Sequence, residues 1–142
     1  MRKLKYVAST ILLAGVLVGC SDKEEVTDVP ADVENNEAYA FNEFSLDVDY
    51  SATSSYEASY DNENNKTEAE IDDTVNNEKL TGDDAFSKLD PMLKSLTFDA
   101  NTSNDDVIAQ VLSAFGLEDN YTKFDLDVRF NDGTEKEYVN TK

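Results

Sequence analysis

The 142-residue sequence has no histidine, no tryptophan, one cysteine, two prolines, and 12 Lys and Arg against 31 Asp and Glu. Each shortage removes something. Without histidine there is no Ser-His-Asp or Cys-His catalysis and no imidazole metal ligand, and one cysteine allows neither an internal disulfide nor a thiolate zinc site. A net charge of −19 argues against nucleic acid or an anionic lipid surface as a partner, because such partners need basic patches to displace counterions. No glycine-rich phosphate loop is present. The length admits one domain with appendages.

What is present begins with an address. Arg2, Lys3 and Lys5 form a basic start without acids, and residues 6–19 are apolar or small throughout. About fourteen residues at ~1.5 Å rise span roughly 21 Å, short of the ~30 Å hydrocarbon core, so a cleaved signal fits better than a permanent transmembrane helix. The run closes on Leu17-Val18-Gly19-Cys20, which resembles the lipobox of bacterial lipoproteins. That resemblance implies cleavage before Cys20 and a diacylglycerol on its thiol. A chance cysteine is the alternative. Against it, the only Cys lies where the motif needs it, behind the only positive cluster, and the composition changes abruptly at Ser21. Each buried CH₂ contributes about 0.8 kcal/mol, so two or more acyl chains would anchor the protein on the extracytoplasmic face of the cell membrane. Removal of residues 1–19 leaves 9 bases and 31 acids, a net −22.

Residues 20–40 carry seven acids, one Lys and no large aliphatic cluster. Such a segment buries too little apolar area to offset chain entropy and reads as an acidic disordered tether, or alternatively as a recognition tail for a basic partner. A coil of about twenty residues spans roughly 25 Å.

From residue 41 the pattern turns periodic. Phe44, Leu46, Val48 and Tyr50 alternate with Ser45, Asp47 and Asp49, and Phe124, Leu126, Val128 and Phe130 alternate with Asp125, Asp127 and Arg129. Both have the period of a half-buried strand. Weaker strands are expected at 55–61, with Tyr56, Ala58 and Tyr60 on one face, and at 67–73, with Ala69 and Ile71, joined by a polar turn at 61–65. Asn131-Asp132-Gly133 predicts a hairpin into a last strand at 134–140. A first helix starts at Thr81 or Gly82, with Phe86, Leu89, Leu93 and Leu96 on one face and a kink or restart expected at Pro91. A second runs from a Ser103 or Asn104 cap through Val107, Ile108, Val111, Leu112 and Phe115 to Gly116. The order β-β-β-α-α-β-β argues for a single small α+β domain, an antiparallel sheet with two helices packed on one face.

The core is lean: 23 Leu, Ile, Val and Phe lie in residues 41–142, beside 24 acids and 8 bases. Their periodic placement favours a fold, and the net −16 predicts one that gains stability with added salt.

The layout F-x-L-D-V-x-Y, then SYEASY, EAEIDD, LTGDDAF, VIAQVLSAFGL and a closing F-D-L-D-V-x-F-N-D-G-T-x-x-E-Y resembles the YusW-like lipoproteins of bacilli and their relatives. The resemblance covers about residues 41–140. It implies a lipid-anchored home and a fold, without a reaction, since its motifs are strands, caps and turns.

The most suggestive chemistry is acidic. If the first strand and the FDLDVRF strand lie close, Asp47, Asp49, Asp125 and Asp127 share the wet face, where a cation such as Ca²⁺ would relieve their repulsion. The alternative is a solubilising face. Asp61-x-Glu63-x-Asn65 has the start of a calcium loop, but Lys66 stands where its glycine should be. Paired carboxylates also serve glycoside hydrolysis near a cell wall, though nothing separates such a pair from the other acids. Tyr50, Tyr56, Tyr60 and Tyr138 make either an aromatic platform or the edge of the core. The expectation is therefore a non-enzymatic, monomeric binding module at the cell surface. Its expected partners are the membrane, through the lipid on Cys20, and a protein or cell-envelope ligand. No catalytic residue is expected, and no cofactor other than Ca²⁺.

Overall fold

A computed structural model describes residues 38–142. The signal, the lipobox at Leu17, Val18, Gly19 and Cys20, and nearly all of the tether lie outside the described residues. The elements are β1 (Phe41–Ser51), β2 (Ser54–Glu63), β3 (Lys66–Asp73), β4 (Glu78–Thr81), α1 (Gly82–Lys94), α2 (Asn104–Phe115), β5 (Lys123–Phe130) and β6 (Glu135–Thr141). Both helices and every predicted strand are present, and β4 is an addition. This short edge strand has one apolar residue, Leu80, which pairs with Ile71, so it carries no period of its own and exists by docking on β3.

All strand pairs are antiparallel, in the order β4-β3-β2-β1-β5-β6. The two near-copies FSLDVDY and FDLDVRF lie side by side in the interior of the sheet. Phe44 faces Val128, Leu46 faces Leu126 and Val48 faces Phe124. Their likeness follows from a shared position: both have strands on either side, a helix layer on one face and water on the other. An irregularity between Phe41 and Glu43 breaks the period of two, so Phe41 and Phe44 both point into the core. The β2–β3 hairpin turns on Asn64 and Asn65, both with positive φ (52° and 61°), the geometry of a two-residue primed turn. The strands therefore run further into the predicted 61–65 turn, with Glu63 paired to Lys66.

Helix α1 buries Ala85, Leu89 and Leu93 and continues through Pro91. The expected restart is absent. Pro91 and Ser87 both lie on the exposed face, so the Ser87 carbonyl that loses its partner faces water. Helix α2 starts where the Ser103 hydroxyl accepts from the Asp106 N–H. It ends at Gly116 (φ 63°), where the Leu117 N–H donates to the Leu112 carbonyl and the Gly116 N–H to that of Ser113.

Phe44 stacks on Phe115 at 5.6 Å, tying the sheet centre to α2. Tyr39 is also buried, stacked on Phe41, and its hydroxyl donates to the Asp90 carboxylate on α1 at 2.5 Å. Among the described residues, packing thus extends to Tyr39, ahead of β1. With both helices on the inner face, the outer face stays open to water, and along β1, β2 and β5 inward residues are buried while most outward ones are exposed or half-exposed.

Candidate functional site

The open face brings three of the four sequence-predicted aspartates together. Asp47 on β1 stands directly opposite Asp125 on β5, and Asp127, two residues along, faces Glu137 on β6. Oxygens of Asp125, Asp127 and Glu137 lie within 4.8 Å of one another. Asp49, two residues from Asp47 on the same strand, has Lys123 rather than an acid as its cross-strand neighbour on β5. Glu137 was missed because its place beside Asp127 depends on the β5–β6 register, which the sequence does not display.

Basic side chains neutralise the margins of this face more than its centre. Arg129 bridges Glu43 at 3.0 Å, Glu135 at 3.1 Å and also Glu63. Lys79 holds Asp72 at 2.9 Å and Glu70 at 3.3 Å. Nearer the middle, Lys123 reaches Asp125 at 2.7 Å. Among the described residues, no ion pair serves Asp47, Glu57, Asp127 or Glu137. Crowding by the strands on both sides pushes the Asp47 carboxyl up to about 6, reinforced by the charges of Asp49, Glu57 and Asp125 and opposed by Lys123. Desolvation, then Asp125, Glu137 and Glu135, also raises Asp127. The centre of the face therefore favours a proton or another cation.

The calcium-loop start at Asp61 is not a loop. Asp61 and Glu63 lie within β2, Asn65 belongs to its two-residue turn, and Glu63 is paired with Arg129. Alternation along a hairpin, rather than a ligating turn, accounts for the spacing. Tyr56, Tyr60 and Tyr138 are buried and Tyr50 is half-buried against the core, so they form its edge rather than a platform.

A second feature escaped sequence reasoning. Where α2 stops at Gly116, a concavity of about 340 Å³ opens between the β1–β2 end, the β3–β4 turn and the loop before β5. Tyr56 and Asp73, cross-strand neighbours on the inner face, line it with Tyr50, Val75, Leu117 and Glu118. Asp73 is 5% exposed and accepts from the Asn76 N–H at 3.0 Å and its Nδ2 at 2.7 Å. The Tyr56 hydroxyl is buried without a hydrogen-bond partner among the described residues. An acid closing a strand whose Ala69 and Ile71 face inward was the available signal.

Comparison with known proteins bears on the whole domain. A family model described as YusW-like protein matches residues 42–132. The chain belongs to the YusW-like family. Its kinship extends beyond the matched region: it is 28% identical over 136 residues to a Bacillus subtilis (strain 168) relative named "Uncharacterized protein YusW", covering 92% of this chain and 94% of the relative. No solved structure matches. The relative's name attaches no reaction to the family.

Proposed function

We propose that this YusW-like protein is a lipoprotein, anchored through Cys20 on the extracytoplasmic face of the cell membrane, that acts as a non-enzymatic binding module through the open face of its sheet. The observation that carries the binding role is the unpaired acidic centre: Asp47, Glu57, Asp127 and Glu137 on the one sheet face that no helix covers. A face with that charge suits a basic segment of a protein or cell-envelope partner. The lipid anchor is supported by the basic start, the short apolar run and Leu17-Val18-Gly19-Cys20.

Crosslinking on intact cells tests the binding role. Glu57→Lys with Asp127→Lys should abolish a crosslinked partner that the unaltered protein captures. A partner retained by the charge-reversed protein overturns it. Labelled palmitate incorporation should vanish in Cys20→Ala, and labelling that survives this change overturns the anchor.

The convergence of Asp125, Asp127 and Glu137 favours a second reading, a Ca²⁺ site on the same face, with water completing the coordination shell. Calorimetric titration decides it. Heat of binding that disappears in Asp127→Asn supports it, while no heat and no melting shift at millimolar Ca²⁺ retires it.

A further inference from the structure

We propose that the cavity at the end of the helix–sheet sandwich binds an alkylammonium group, the protonated primary amine of a small organic molecule or of a lysine side chain. This site is separate from the open sheet face and does not rest on its role.

The walls define the chemistry. Two polar groups are withdrawn from bulk solvent: Tyr56 is 4% exposed and Asp73 5%. A buried hydroxyl without a partner is destabilising, and a ligand N–H that donates to its oxygen recovers part of that loss. Glu118 adds a second acid to the lining, and no Lys or Arg contributes to it, so the lining offers an anion no positive charge while a cation has Asp73 and Glu118. Tyr50, Leu117 and Val75, the last 49% exposed, give the lining an apolar part. That surface suits a hydrocarbon stem and is foreign to a hydrated metal ion.

The Asp73 carboxylate narrows the choice between ammonium and guanidinium. Asn76 already occupies both its oxygens, donating its N–H to Oδ1 and its side-chain amide to Oδ2. An arginine-like fork needs both oxygens together and would displace Asn76. A compact ammonium needs only one remaining lone pair, and directs a second N–H to the Tyr56 hydroxyl oxygen.

The test is a chemical-shift titration of the ¹⁵N-labelled full-length chain in a neutral detergent, with enough NaCl to screen the acidic sheet face. The probe is n-pentylamine, with n-pentanol and tetramethylammonium as controls that lack the charge and the N–H donors respectively. Pentylamine should move the amides of residues 73–76 and 116–120, and both controls should bind about tenfold more weakly or not at all. Tyr56→Phe removes only the hydroxyl, should not lower the melting temperature, and should weaken pentylamine by a similar factor. Equal binding by either control overturns the proposal, as do equal binding by Tyr56→Phe and shifts confined to the outer face of β1 and β5. A capped Gly-Lys-Gly peptide separates the sources: affinity equal to pentylamine assigns the site to a protein's lysine, and markedly weaker affinity to a free amine.

Discussion

Asp47 and Asp125 meet across the neighbouring strands β1 and β5, where like charges directly opposite one another are destabilising. Since crowding and neighbouring acids raise Asp47 from 3.8 to about 6 in the fold, the protonated form is the one the fold prefers. Its contribution is complete below the unfolded value of 3.8 and is lost as pH rises through about 6. Glu43, Asp61 and Asp127 are raised in the same direction, chiefly by desolvation. Asp90, lowered by hydrogen bonds from Lys94 and Tyr39, and Asp132, lowered by bonds from Thr134, run the other way. Their contribution is present above the usual carboxylate range and disappears only in stronger acid. The melting temperature should therefore rise as pH falls from 7.5 to 5 and drop again below about 4. Asp47→Asn should raise it at pH 7.5 by about 1–5 °C, as relief of a cross-strand repulsion of ~0.2–1 kcal/mol in a domain of this size would. The gap between variant and parent should close toward pH 4, which calorimetry across the range will measure.

At the scale of elements, the helices make the sharpest cases. Gly116 ends α2 at φ 63°, and a Cβ there would meet nothing within 4 Å. Gly116→Ala therefore isolates the cost of a left-handed backbone, and urea unfolding should show a loss of about 1 kcal/mol. Pro91 is the opposite case. Its place inside an otherwise regular helix costs up to ~3 kcal/mol relative to alanine, partly offset by the ~0.4–1 kcal/mol by which proline restricts the unfolded chain. Pro91→Ala should gain about 1–2 kcal/mol in the same measurement. Both helices were legible in the sequence because apolar residues recurred at three- and four-residue steps, and α2 also lay between recognisable caps at Ser103 and Gly116. The restart at Pro91 was over-read, since local rules do not reveal that the orphaned Ser87 carbonyl faces water. β4 was illegible for the converse reason: Leu80 is one apolar residue without a period, and only Ile71 opposite makes it a strand.

For the whole molecule, alternation told which residues face out, but not which strands are neighbours. Asp47 and Asp125 were foreseen as a pair only on condition that their strands meet. Glu137 and the Tyr56–Asp73 cavity needed the β5–β6 and β2–β3 registers, which are tertiary facts. The charge itself was readable in full, and the fold explains how it is carried. One sheet face and the two helices packed on it bury apolar side chains, so the 24 acids and 8 bases of residues 41–142 must crowd onto the remaining surface, much of it the open face. Individual ion pairs such as Lys66 with Glu68 or Lys79 with Asp72 are exposed and worth little each. Salt that weakens them also screens a far larger number of acid–acid repulsions, with a Debye length falling from about 30 Å at 0.01 M toward a few ångströms at high salt. Repulsion therefore dominates the balance, and the melting temperature should climb between 10 mM and 500 mM NaCl, most steeply at the low end where screening changes fastest. The rise should shrink when the centre of the face is neutralised by Asp47→Asn with Asp127→Asn. Calorimetry that finds a flat or falling melting temperature would place the stabilising charge interactions in the ion pairs instead.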